Sequence, residues 1–175
     1  MAPSIPETLD YKIEQLVRDQ VLSTSDIPAE KAVCGQRGQY YDASGQATGD
    51  EVKAPEPDIP YVLVHFNGQM QQTGLANERQ DEDHKYYKTP YRAVVALRGV
   101  GRPTMNWLTR LHMLTEYRQA IVKAPNPPSP MSVQSNSEIH EFQVQMDVEA
   151  RFFAEIKVDK ENEFIDTVDL NTTTQ

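Results

Sequence analysis

From Phe142 to Val158 every second residue is apolar: Phe142, Val144, Met146, Val148, Ala150, Phe152, Ala154, Ile156 and Val158. Between them stand Gln143, Gln145, Asp147, Glu149, Arg151, Glu155 and Lys157, with Phe153 the one break in the polar set. A period of two predicts a strand with one buried face. At roughly 3.3 Å per residue this strand would exceed roughly 50 Å, longer than a usual strand. The pattern therefore predicts either a bulge near residues 150–153 or a strand that projects beyond its domain. A turn at residues 159–163 and a last strand carrying Phe164, Val168 and Leu170 follow, and polar residues 171–175 are expected to fray.

Upstream the periods change. Leu9, Ile13, Leu16, Val17 and Val21 fall on one face of a helix over about 5–22, opposite Asp10, Glu14, Arg18 and Asp19. Ser4 and Glu7 have capping-box spacing, and Pro6 sits in the first turn, where its missing N–H is harmless. Residues 23–58 are rich in Ser, Thr, Gly and Pro and read as a long irregular loop or hairpin, with short strands at Ala32–Cys34 or Gln39–Tyr41. A loop this long orders against a neighbour if the protein works by assembly. Tyr61–Phe66 reads as a buried strand opened by Pro60 and ended by the turn residues Asn67-Gly68. A second strand spans about 86–98, where Pro90 should mark a bulge or an edge. A helix over about 104–122 carries Trp107, Leu108, Leu111, Leu114 and Ile121, with Thr104 as its N-cap. A Pro-rich connector follows over 124–137, extended through its prolines.

The order helix, strand, strand, helix, strand, strand lacks βαβ alternation. It predicts an α+β fold, an antiparallel or mixed β-sheet with two helices packed on one face, in one domain spanning 1–175. The length of 175 residues fits that count.

Composition narrows the function. The net charge of −9 argues against a surface built to grip nucleic acid phosphates. One cysteine, Cys34, excludes an internal disulfide and any multi-cysteine zinc site. Residues 1–10 lack the apolar core of a signal peptide, and no apolar run is long enough to span a membrane. The chain reads as soluble and made in a cytoplasm.

No catalytic, cofactor or metal constellation stands out, and no enzyme activity or cofactor is expected. His112 has Glu116 four residues on, whereas a metalloprotease helix needs two histidines at that spacing. Asp81-Glu82-Asp83-His84 lacks the spacing of a Ca²⁺ loop and reads as a solvated acidic turn. Gly99-Val100-Gly101 has Thr104 where a dinucleotide loop needs its third glycine. Cys34, with Arg37 nearby, reads as an ordinary thiol.

Charge is unevenly spread. Residues 84–123 hold eight Lys/Arg against Glu116 alone, a net of +7, and residues 138–169 hold ten Asp/Glu against three Lys/Arg, a net of −7. Adjacent strands would neutralise these charges within one copy. Opposite flanks would let one copy's positive side meet the next copy's negative side and close a ring. Arg92, Arg98 and Arg102 on one side, with Asp147, Glu149 and Glu155 on the other, are the candidate contacts.

The amphipathic opening helix, Pro60-Tyr61-Val62, Tyr91–Leu97 ending at Gly99, the helix at Trp107, Leu108 and Leu111, the alternating strand 142–158 and the ending Ile165–Leu170 together resemble the neck (tail) terminator family of tailed phages. The resemblance covers about residues 5–22 and 59–170. The stretch 23–58 is longer and more glycine-rich than that pattern. The resemblance implies a structural virion protein, made in the host bacterial cytoplasm. It implies a hexameric ring that ends the tail tube and joins it to the neck connector, with DNA passing through the lumen without specific binding. A tail sheath is a further partner if the tail contracts. The resemblance carries over no catalytic residues. Competing readings are a decoration or baseplate module, a small enzyme with a dispersed site, and an acidic adaptor.

Overall fold

The computed structural model describes residues 9–35, 38–41, 47–52, 58–117, 122–131, 142–161 and 165–172. Helix α1 spans Leu9–Thr24 and helix α2 Pro103–Tyr117. The strands are β1 (Ala32–Cys34), β2 (Gly38–Tyr41), β3 (Ala47–Val52), β4 (Tyr61–Gln72), β5 (Asn77–Gln80), β6 (His84–Val100), β7 (Val122–Lys123), β8 (Ser129–Pro130), β9 (Gln143–Asp159) and β10 (Ile165–Asn171). The fold is α+β with a mixed sheet, as the element order predicts, but the sheet has eight strands rather than four.

Its main path runs β1-β4-β6-β9-β10. The β1–β4 pair is parallel and every other pair is antiparallel. Strand β5 continues β4 along one side of β6, while β7 and β8 join β10 along the outer side of β9. The hairpin β2–β3 is a separate two-stranded sheet within the 23–58 stretch.

Strands β6 and β9 pair over 17 residues each, from His84↔Asp159 to Val100↔Gln143, without a register shift. Of the two alternatives, a bulge near 150–153 or a projecting strand, the bulge does not occur; the long alternation is one uninterrupted strand. Directly opposed residues share a face. One face carries Ala93, Val95 and Leu97 against Ala150, Val148 and Met146, continued by Val62, Val64 and Phe66 of β4. These residues are buried with Ile13, Val17 and Val21 of α1 and Leu108 and Leu111 of α2 in one core. The two helices therefore cover the same face.

Several boundaries move for local reasons. Asn67-Gly68 does not end β4. The register shifts between Phe66 and Met70, Gly68 takes φ +87°, and Asn67 Oδ1 accepts the Gln69 N–H at 3.1 Å, so turn chemistry makes a bulge here. Pro90 causes no bulge in its own strand. Its carbonyl accepts from Thr73 N–H at 3.0 Å on the side where β4 has stopped and β5 has not begun, so its missing donor falls in that gap. A Cβ on Gly74 would lie 2.9 Å from the Pro90 ring, which fixes the close approach of that connection.

Thr104 is not an N-cap. It lies inside α2, fully buried, and its hydroxyl donates to Gly101 O at 2.6 Å. Pro103 opens the helix, consistent with the preference of proline for a first helical turn. Val122, assigned above to the second helix, is instead in β7, paired with Ala150 of β9. Of the Pro-rich connector, residues 124–131 follow the β9 edge through β8, and Met131 N–H donates to Gln143 O at 2.9 Å. Residues 132–137 of that connector, the Ser4–Glu7 capping box with Pro6, Ile121, Phe164 and residues 173–175 lie outside the described residues. Asn171, expected to fray, is the last residue of β10.

Candidate functional site

The body of the sheet alternates buried and more open positions, as a sheet covered on one face must. That alternation stops at one end. Residues 84–88 of β6 and 155–159 of β9 are half-buried on both faces. Among the described residues, α1 reaches this end only at β10, where Lys12 Nζ donates to Val168 O at 2.7 Å. With β5 and β10 this end forms a four-stranded arm, β5-β6-β9-β10, that continues the sheet beyond its core. Among the described residues no strand pairs with the outer edge of β5 or of β10. The β5 residues are exposed along their length.

The arm's open face is held by side-chain contacts. Arg79 pairs with Glu155 at 3.2 Å and lies over the Tyr86 ring at 4.1 Å. Lys88 Nζ sits 4.8 Å from the centre of the Phe153 ring, which explains the one apolar residue among the polar positions of β9. At the tip, Asp81 Oδ1 accepts from Asp83 N–H at 3.0 Å and His84 N–H at 2.8 Å, and Oδ2 accepts from Tyr86 Oη at 2.9 Å. The His84 N–H, then the Tyr86 hydroxyl, hold the Asp81 carboxyl below its ordinary pKa. The acidic turn thus uses Asp81 to close the β5–β6 hairpin, with Lys160 also donating to its carbonyl.

Five of the six candidate contact residues lie on one face. Arg92 and Arg98 on β6, and Asp147, Glu149 and Glu155 on β9, all point away from the helices. Arg102 lies past the end of β6, its guanidinium 6.0 Å from the Phe142 ring centre. The basic and acidic stretches are therefore on adjacent strands and not on opposite flanks. Arg92 pairs with Glu149 at 3.7 Å and donates to Gln71 Oε1 at 2.9 Å. Glu155 is taken by Arg79. Half-exposed pairs like these contribute about 0.2–1 kcal/mol each. The reason for the placement is topological: β6 and β9 are separated in sequence by α2 and the connector, yet neighbours in the sheet.

The other sequence features resolve into structure. His112 Nδ1 lies 2.9 Å from Ala124 O, and Ala124 N–H donates to Thr115 Oγ1 at 3.2 Å, so together they fasten the β7 segment to α2. A Cβ on Gly99 would press on Thr104 and come 2.8 Å from Val144, and Gly101 takes φ +99°, so packing and the turn require these glycines. Among the described residues no group of three or more His, Cys, Asp or Glu could hold a metal ion. Among them also, no helix is long and apolar enough to cross a membrane.

Burial first, and the Glu14 charge second, push the Cys34 thiol up to about 11, with Arg18 opposing. Alkylation by iodoacetamide at neutral pH should run roughly a hundredfold slower than for a free cysteine, because the thiolate is the nucleophile. A rate profile with its midpoint near an ordinary cysteine pKa would contradict that environment.

Sequence reasoning misplaced Glu14. Assigned to the solvent face of α1, it is 1% exposed beside Ile13 and Val17. Gly35 N–H donates to Val64 O at 2.7 Å where β1 ends. Two residues along the same edge of β4, Phe66 N–H has no strand to meet, and Glu14 Oε1 accepts it at 2.9 Å. His65 Nδ1 stands 3.7 Å from the same oxygen. The signal was present, since 14, 17 and 21 share helical spacing as well as 13, 17 and 21 do.

A groove of about 440 Å³ lies between α1 and the outer edge of β10, lined by Lys12, Gln15 and Leu16 on the helix and Leu170, Asn171 and Thr172 on the strand. Compared with known proteins, the chain matches no family model and no curated protein.

Proposed function

We propose that this chain is a structural subunit that closes into a ring through its sheet arms, of the tail-terminator kind. The ring caps a phage tail tube and joins it to the neck connector in the virion, leaving a channel for DNA. The observation that carries this reading is the four-stranded arm, whose two outer edges, β5 and β10, are unpaired among the described residues. A bare edge is a template for another strand. In an arm of four antiparallel strands, β5 and β10 run in opposite directions. Copies related by rotation about an axis along the strands then meet β10 to β5 as an antiparallel pair, the ordinary ladder. The contact is heterologous, and such contacts close into rings. The tube and connector proteins are the partners in this reading, with a sheath where the tail contracts.

The test is mass in solution by light scattering, for the protein alone and mixed with isolated tail tubes. The expected result is a closed oligomer near about six copies in at least one of the two. A protein that stays monomeric alone and does not bind tubes overturns the reading. Because Arg92 pairs with Glu149 and Arg79 with Glu155 within one copy, the assembled fraction should change little between about 0.05 and about 0.5 M salt. Dissociation at the higher salt would instead give the six charged residues an intermolecular role.

A further inference from the structure

The two edges of the arm carry a knob and a groove at the same height. Leu75, between β4 and β5, is 90% exposed, the most exposed large apolar side chain among the described residues. The connection that bears it is held against β6, since Thr73 N–H donates to Pro90 O and Gly74 lies on the Pro90 ring. Thr73 and Gly74 lie against Pro90 and Asn77 pairs with Lys88, so Leu75 stands between the levels of Pro90 and Lys88. Pro90 pairs with Phe153, and Phe153 pairs with Asn171 of β10. Leu75 on one edge and Asn171 on the other therefore lie at nearly one level of the sheet.

Asn171 lines the groove between α1 and β10. Its Oδ1 is buried and has no hydrogen-bond partner among the described residues. Leu16 and Leu170 give the groove its apolar lining. The aliphatic stem of Lys12 crosses the groove to Val168 O at 2.7 Å, a contact on the edge that an added strand would follow. At about 440 Å³ the groove has room for a three-residue loop tip.

We propose that the Gly74–Leu75–Ala76 tip of one copy seats in the α1–β10 groove of the next copy. Leu75 meets Leu16 and Leu170, and the tip lies against Asn171. The inference rests on the ring reading above and names its contact. A rotation without displacement along the axis brings knob to groove because they already share a level. An isologous pairing would place knob against knob.

Two experiments test it. Leu75→Asp should fold as the parent does, since the side chain is in solvent, and should weaken each subunit contact by roughly tenfold or more. Second, Leu75→Cys and Gln15→Cys are combined in a Cys34→Ala chain and oxidised under assembly conditions. A product of single-chain mass alone would be a bridge within one copy and would overturn the proposal. A ladder of covalent multimers ending at one closed size is the expected result. Dimers alone would mean an isologous contact and overturn the proposal. Absence of bridging while the parent still forms rings would mean that the groove is filled otherwise, by the chain's own terminal residues or by another virion protein. That result overturns this contact and leaves the ring reading standing. A parent protein that assembles neither alone nor on tail tubes overturns both.

Discussion

Replacing Phe152 with alanine is expected to cost about 3–5 kcal/mol of folding stability, the range for deleting a buried aromatic side chain. Phe152 is 2% exposed and is among the largest fully buried side chains of the core. It pairs across the sheet with Tyr91, the rings stacked at 6.1 Å between centroids. Domains of this size have about 5–15 kcal/mol to lose, so the variant should unfold at markedly lower urea. Position 152 is also where the covered body passes into the arm. Alanine there removes the last large side chain anchoring β9 under the helices. Its neighbour provides the control: Phe153→Ala, on the open face and half-buried under Lys88, should cost only about 1 kcal/mol. Equal costs at 152 and 153 would contradict the assignment of faces.

The second large effect is expected at Glu14. Glu14→Ala should cost about 2–4 kcal/mol, because it leaves the Phe66 N–H without its acceptor and opens a cavity in the α1–β4 contact. Glu14→Gln keeps an amide oxygen at that place and should cost about half as much. The ratio separates two roles. If the acceptor matters, Gln lies between the parent and Ala. If the charge facing His65 matters, Gln falls as far as Ala. His65 is more than half exposed, and His65→Ala is expected to cost under about 1 kcal/mol, the level of a surface pair. Urea unfolding of the three variants at neutral pH measures all of these.

These residues also show how far the sequence could be read. Phe152 was assigned correctly because a period of two needs no partner: whichever strand sits beside β9, its apolar parity faces the core. Glu14 was misassigned because its place depends on a single N–H at a strand edge, just past the point where β1 stops at Cys34. Asn67-Gly68 carried turn chemistry that was legible, but a bulge and a hairpin end use the same chemistry. Only the continued pairing of Met70 with Ala93 distinguishes them. The candidate charges were legible as residues, but their arrangement stayed open between adjacent strands and opposite flanks, since net charge along a chain does not say which strands become neighbours.

The sequence by itself determined the two amphipathic helices, the long alternating strand, the apolar face they share and the α+β class, because each follows from the local period of side chains around a helix or along a strand. Tertiary structure alone decided that β6 and β9 lie side by side in full register, so that Arg92 meets Glu149 within one copy. It also decided that the sheet continues past its buried core as an arm whose edges β5 and β10, among the described residues, meet no further strand. These are matters of pairing between residues far apart in the chain. Backbone hydrogen bonds make such a pairing possible for any sequence, and only the burial of the whole set of side chains selects one.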